Sequence, residues 1–145
     1  MQVDFYQLAG TPIEKVVPQL AGKVIENGER LLLVAGDEKL RGLLDACLWS
    51  FDPASFLPHA IAGEGGEAAQ PILLSDAIAA QNGARFVMLA DGLWRDEALA
   101  FARVFFLFDA DKLDGARKAW RDLGARDDVE PRFWKQDGGK WRQGP

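Results

Sequence analysis

The chain has 145 residues, a net charge of −5 and 48% hydrophobic residues, which predicts one globular domain over 1–145 and argues against disorder. Its single cysteine, Cys47, excludes an internal disulfide framework and fits a reducing cytosol. No apolar stretch reaches membrane-spanning length, and the N-terminus lacks a signal-peptide pattern, so we expect a cytoplasmic protein. An acidic chain is also a poor direct partner for phosphate backbones.

The first elements in the chain alternate between strand and helix. Residues 3–8 predict a strand, and the continuous apolar run 30–35 is typical of a central strand covered on both faces. A helix is expected between them, with Thr11 as its N-cap and Glu14 completing a capping box. Pro18 lies inside this helix and predicts a kink.

A second helix follows the strand at 30–35. Asp37 is a plausible N-cap, and apolar residues recur at spacings of three and four through 38–49. A short extended segment is expected at 55–59, followed by a polar, glycine-rich loop at 63–67.

The second half repeats the alternation. Apolar runs predict strands at 72–74, 86–89 and 104–108, and helices are expected at 97–102 and 112–123, the latter capped by Asp111 and ended by Gly124. An Asp-Gly turn signal between aromatic residues predicts a terminal hairpin within 132–142. The whole pattern indicates an α/β, three-layer Rossmann-like fold, with a mostly parallel central sheet and helices on both faces.

Residues for catalysis or metal binding are scarce. The only histidine, His59, has apolar neighbours, and Cys47 lies on the apolar side of a predicted helix, so structural roles are expected for both. One histidine and one cysteine cannot form a structural zinc site, and neither phosphate-binding glycine motif is present. We therefore expect no catalytic residues, no metal and no cofactor. The fold leaves a nucleotide-binding Rossmann-like protein or a small transferase as the alternative.

One helix face combines apolar and cationic side chains. Leu113, Arg117 and Trp120 follow at spacings of four and three, and Lys118 and Arg121 flank them. The face is either a solvated helix edge with a partly buried tryptophan, or a groove with an apolar floor and a cationic rim. Such a groove would suit a peptide with acidic residues, a terminal hydrophobic residue and a carboxylate.

Two segments carry a family resemblance. The run 48–59 (LWSFDPASFLPH), followed by the glycine-rich 62–65, is similar to a Leu-Trp and Ser-Phe-x-Pro-His element of the DNA polymerase III chi subunit family. The opening residues 4–8 and the segment 34–38 are also similar, as is a tryptophan-containing C-terminal strand like that at Trp141.

The resemblance implies a non-catalytic accessory subunit of the bacterial DNA polymerase III holoenzyme, acting in DNA replication. Chi-like proteins pair with the psi subunit, which connects them to the clamp-loader complex. They also bind the acidic, Phe-ending C-terminal tail of single-stranded-DNA-binding protein, so that DNA is reached only indirectly. The expected localisation is therefore the cytoplasmic, nucleoid-associated replisome.

The resemblance also implies site residues. The tail-binding tryptophan, arginine and aromatic residue of the family fall on Trp49, Arg117 and Trp120, with an apolar strand residue of the pocket near Phe106. The psi-contacting phenylalanine falls on Phe56.

The chain departs from the family at one tail-binding position. A family lysine aligns with Leu113, and the nearby Lys112, Lys118 or Arg121 could replace it. The expected tail-binding set is therefore Trp49, Phe106, Leu113, Arg117, Trp120 and Arg121.

Overall fold

The computed structural model describes residues 1–9, 11–50, 59–61, 70–80, 82–137 and 140–144, with the backbone alone at 49–50, 59–61, 137 and 140. Phe56 lies outside the described residues. Among the helices described, none combines the length and the apolar character that a membrane span requires.

The strands of the described chain form one mixed sheet. They are β1 Gln2–Gln7, β2 Leu31–Val34, β3 His59–Ile61, β4 Ile72–Ser75, β5 Phe86–Leu89, β6 Arg103–Phe108, β7 Glu130–Asp137 and β8 Lys140–Gly144. Their order is β3-β4-β2-β5-β6-β1-β7-β8. Every pairing from β3 to β7 is parallel, and β8 runs antiparallel to β7, which confirms the predicted sheet and the terminal hairpin.

The helices in the described part of the chain are α1 Ile13–Glu26, α2 Glu38–Ser50 and α3 Leu113–Gly124, with short 3-10 segments at Asp96–Ala100 and Ala110–Lys112. Apolar residues of α1 and α2 join one core cluster, which we call the first face of the sheet. Apolar residues of α3 join the other cluster, the second face. The helices therefore cover both faces, as predicted for a three-layer fold.

The direction of each chain crossover explains this division. The connections from β1 to β2 and from β2 to β3 move toward the β3 edge, whereas those from β4 to β5 and from β6 to β7 move toward the β8 edge. Parallel crossovers are almost always right-handed, so connections that move in opposite directions place their helices on opposite faces.

The beginnings of α1 and α3 differ from the sequence predictions. Pro12 is extended, with φ −68° and ψ 152°, and takes the N-cap position without a side-chain cap, so the Thr11 capping box is wrong. At α3, the predicted Asp111 cap is also wrong. The Asp109 side chain instead accepts a hydrogen bond from the Asp111 N–H at 3.0 Å and caps the preceding 3-10 segment. An extra turn of 3-10 helix separates strand and helix here, which periodicity alone does not indicate.

The N-cap of α2 agrees with the sequence. The Asp37 carboxylate accepts a hydrogen bond from the Lys39 N–H at 3.3 Å, which is the geometry of a side-chain cap. The predicted 97–102 helix is present as the 3-10 segment Asp96–Ala100.

A buried carboxylate ties β1 to its two neighbouring strands. Asp4 is fully buried and accepts hydrogen bonds from the Arg103 Nε at 2.7 Å and the Trp134 Nε1 at 3.1 Å. The Gln2 amide donates to the same carboxylate at 2.9 Å. Because a buried charge is tolerated only when it is paired and hydrogen-bonded, these contacts allow Asp4 to lie inside the sheet.

Replacing Asp4 with alanine should lower the free energy of unfolding by about 2 kcal/mol or more, because Arg103 and the Trp134 indole lose their common acceptor. The exposed pair of Lys118 and Asp122 provides the control. Lys118→Ala should leave the urea midpoint almost unchanged. Equal midpoint shifts for the two variants would show that the Asp4 contacts add no more stability than a surface pair.

Gly92 is required where the chain after β5 meets the start of α3. Its φ is +73°, and an added Cβ would lie 2.6 Å from the Lys112 Cγ and 3.0 Å from the Lys112 Cβ. Gly28 has a similar φ of +76° but no atom within 4 Å of the added Cβ. The two positions therefore separate the cost of the left-handed backbone from the cost of the contact.

Gly28→Ala should destabilise the protein by about 1 kcal/mol, the usual cost of a left-handed backbone at a residue with a Cβ. Gly92→Ala should destabilise it more, because the start of α3 must also move away. Urea denaturation of both variants measures the difference. Equal losses would contradict the close approach of Lys112.

Candidate functional site

Helix α3 is anchored to the second face by small residues and one tryptophan. Ala116, Ala119 and Leu123 are buried against the sheet. The Trp120 ring meets Phe5 edge-to-face at 5.2 Å and Phe133 at 5.6 Å between centroids. Trp120 is nonetheless only partly buried, so one side of its ring system belongs to the surface.

The flank of α3 beside β7 carries the predicted cationic face. Leu113 and Trp120 are partly buried, whereas Arg117 and Arg121 are exposed. Neither arginine forms a hydrogen bond or an ion pair with any residue that the structure describes. Their guanidinium groups are therefore not neutralised by a carboxylate of this chain among those residues.

Strand β7 contributes two residues that the sequence prediction missed. Phe133 lies beneath Trp120, and the Lys135 Nζ lies 5.8 Å from the centroid of the Phe133 ring. Alternation along a strand places residues 133 and 135 on one face, but the pairing of β7 beside β1 was needed to bring that face to α3. We call the combined surface the α3–β7 patch, formed by Leu113, Arg117, Trp120, Arg121, Phe133 and Lys135.

The other flank of α3 is different in charge. Lys118 donates to the Asp122 carboxylate at 3.0 Å, so its charge is already paired. A cavity of about 360 Å³ separates this flank from the chain around Leu93. Of the three cations considered as a replacement at Leu113, Arg121 is the one on the flank of Arg117, one helical turn away. Lys112 packs instead against Gly92.

Phe106 and Trp49 complete the predicted tail-binding set. Phe106 has 0% exposure, and its ring contacts Phe5 at 5.4 Å and Trp94 at 5.5 Å. It supports the second core and contributes no surface to a pocket in this structure. Trp49 lies in the last turn of α2, a helix whose other apolar residues pack on the first face, whereas α3 packs on the second.

Nucleotide-binding folds of this class bind phosphate at the carboxyl ends of the strands. A cavity of about 550 Å³ lies there, lined by Asp91, Asp109, Asp111 and one cation, Lys112. Burial alone would raise the pKa of Asp91. Hydrogen bonds from Arg95 and from a backbone N–H outweigh this effect and keep the pKa of Asp91 below its ordinary value. Asp91 is thus paired with Arg95, but Asp109 and Asp111 still outnumber Lys112 in the lining, which disfavours the nucleotide-binding alternative.

The groups considered for catalysis or metal binding are few. Within the residues that the structure describes, no cluster of three or more histidine, cysteine or acidic side chains is placed to hold a metal ion. Cys47 is half-buried against the first core, and its thiol donates to the Leu44 carbonyl at 3.1 Å. Burial, and then the nearby Glu14 carboxylate, raise the pKa of Cys47 to about 11.

Alkylation of Cys47 by iodoacetamide at pH 8 should be slow in the native protein, because only the thiolate reacts and its raised pKa makes that form rare. In urea the rate should rise by about two orders of magnitude, as the pKa returns to its ordinary value. Mass spectrometry over time measures both rates. A native rate equal to the unfolded rate would indicate an accessible, reactive thiol.

Comparisons with known proteins point to one family. The family model described as DNA polymerase III chi subunit, HolC, matches residues 1–129. A protein named DNA polymerase III subunit chi from Escherichia coli (strain K12) is 37% identical over 60 residues, which are 41% of this chain and 41% of that protein. A protein of the same name from Pseudomonas aeruginosa is 37% identical over 70 residues, 46% of this chain and 49% of the relative.

The matched stretches span less than half the length of these two relatives. The family match includes the whole of α3 but ends one residue before β7 begins at Glu130. Phe133 and Lys135 therefore lie outside the part of the chain that the family model describes.

Proposed function

Since the chain belongs to the DNA polymerase III chi subunit family, we propose that it is a non-catalytic accessory subunit of the bacterial DNA polymerase III holoenzyme. In this role it bridges the psi subunit to the acidic C-terminal tail of single-stranded-DNA-binding protein during DNA replication. The observation that carries the tail-binding half of the proposal is the pair of exposed arginines beside the half-buried Trp120.

The α3–β7 patch has the chemistry that an acidic tail with a terminal phenylalanine requires. Leu113, Trp120 and Phe133 offer apolar surface for the phenylalanine ring. Arg117, Arg121 and Lys135 supply cations for the terminal and side-chain carboxylates. Because these cations are exposed to solvent, the affinity should fall as the salt concentration rises.

The charge of the chain supports an indirect route to DNA. With a net charge of −5, the protein is a poor partner for a phosphate backbone, but a cationic patch is a good partner for an acidic peptide. Many tails on one coated strand would raise the effective concentration near the patch, so modest affinity for each tail is sufficient. The proposed location is the replisome on the nucleoid, in the cytoplasm.

The remaining contacts are proposed from the family resemblance. Phe56 is proposed to contact psi, which connects the chain to the clamp-loader complex. Trp49, in the last turn of α2, is proposed as a further contact of the tail. The acidic cavity at the carboxyl ends of the strands gives the nucleotide-binding or transferase alternative no support.

Arg117→Ala should weaken binding of a synthetic acidic peptide ending in Pro-Phe by about tenfold, since a charged hydrogen bond contributes roughly 1.5–3 kcal/mol. Lys118→Ala is the matched control, because Lys118 is on the same helix but is already paired with Asp122. Isothermal titration calorimetry at low and high salt measures both affinities.

The same peptide without its final phenylalanine tests the apolar half of the patch. Its binding should be lost or nearly lost. If Arg117→Ala and Lys118→Ala weaken binding equally, the patch is wrongly placed on α3. If the unmodified protein binds neither peptide, the tail-binding function itself is wrong.

A further inference from the structure

An aromatic cavity of about 290 Å³ lies on the first face, where the parallel strands begin and α1 ends. Five rings line it, one from each of the strands β1, β5, β6, β7 and β8: Tyr6, Phe86, Phe105, Trp134 and Trp141. The three outermost rings are only partly buried. No part of the proposed function uses this surface.

The aromatic rings of the cavity pack against one another. Tyr6 stacks on Trp134 at 6.2 Å and 12°, and on Phe105 at 6.2 Å and 25°. Trp141 meets Tyr6 edge-to-face at 5.0 Å. Neighbouring strands fix these spacings, so the cavity presents aromatic faces that are already ordered before any ligand arrives.

A cation is fixed at the wall of the cavity. The Arg103 Nε is bound to the buried Asp4, and its guanidinium carbon lies 4.5 Å from the centroid of Phe105. The Arg103 side chain remains 33% exposed and lines the cavity. Burial, and then the Asp4 carboxylate, raise the pKa of Tyr6 to about 12, so its hydroxyl stays neutral beside this pair.

The end of α1 adds two more polar groups. Lys23 and Asn27 line the same cavity, and the Asn27 amide is held by a hydrogen bond to the Lys23 carbonyl at 2.7 Å. Lys23 is exposed and forms no ion pair with any residue in the described part of the chain. The opening therefore combines aromatic faces, a fixed guanidinium, an amide and an exposed ammonium group.

We propose that this cavity takes one unpaired base of single-stranded DNA. Every base offers a flat face for stacking on the partly buried Trp134 and Trp141 rings, and such stacking is the usual basis of sequence-tolerant single-strand binding. Base carbonyl oxygens are acceptors for the Arg103 guanidinium, and the adjoining phosphate is an anion for Lys23. A ligand with a purely hydrocarbon ring would offer no acceptor to the Arg103 and Lys23 donors.

The affinity of this cavity for a nucleotide should be weak. Two cations cannot hold a length of phosphate backbone against the net charge of −5, so the site binds one nucleotide and does not track a strand. It becomes effective when another attachment holds the protein beside exposed DNA and raises the local concentration. The inference goes beyond the proposed function, in which DNA is reached only through a partner, and it is independent of tail binding.

Fluorescence anisotropy with a labelled short oligothymidylate tests the proposal on the purified full chain. Saturable binding is expected, about tenfold weaker for an abasic oligonucleotide of equal charge, because the abasic chain cannot stack. Trp141→Ala should produce a similar loss.

Lys23→Ala provides a variant with little risk of misfolding, since Lys23 is an exposed residue on a helix. It should weaken oligothymidylate binding severalfold. Lys15→Ala is the matched control: Lys15 is exposed on the same helix, two turns away, and does not line the cavity. Lys15→Ala should bind as the unmodified protein does.

Three results would overturn the proposal. These are no saturable binding of the oligothymidylate, equal affinity for the abasic oligonucleotide, or equal effects of the two lysine variants. An acidic peptide that displaces the oligonucleotide and loses affinity on Trp141→Ala, but not on Arg117→Ala, would assign the cavity to a peptide instead. Failure of peptide binding alone would overturn only the proposed function.

Discussion

The right-handed crossover is the constraint that decides which surfaces of this molecule can act together. The chain leaves β1 toward one edge of the sheet and later returns toward the other, so α1 and α2 cover the first face and α3 covers the second. Residues that are close in a helical pattern stay together under this constraint. Helices on connections of opposite direction lie on opposite faces of the sheet.

Strand β1 links the two surfaces that carry the proposals. Its side chains alternate, so Phe5 points to the second face and contacts Trp120, while Asp4 and Tyr6 point to the first. The pairing of Phe5 with Phe133 brings an aromatic floor under α3, and the pairing of Tyr6 with Trp134 brings another to the end of α1. The position of β7 beside β1 therefore builds both the α3–β7 patch and the aromatic cavity.

The sequence predicts what depends on local pattern. Apolar runs and helical spacing located the strands and helices, and the spacing of Leu113, Arg117 and Trp120 correctly placed them on one flank of α3. Strand order has no local signature, so the sequence did not indicate that Phe133 and Lys135 of β7 lie beside α3. The two failed caps have the same origin, because a single extended residue or one 3-10 turn shifts a helix start without changing its periodicity.

Acidic and basic side chains lie in different regions of the molecule. Carboxylates line the cavity at the carboxyl ends of the strands, where the dipoles of a nucleotide-binding fold would receive phosphate. Cations lie instead beside aromatic rings, at the flank of α3 and at the amino ends of the strands. A negative total charge therefore does not exclude anionic partners; it limits them to places where rings and cations occur together. A partner must then offer both a flat apolar group and an adjoining negative charge. This requirement disfavours an extended phosphate backbone and favours a short ligand such as a peptide terminus or a single nucleotide.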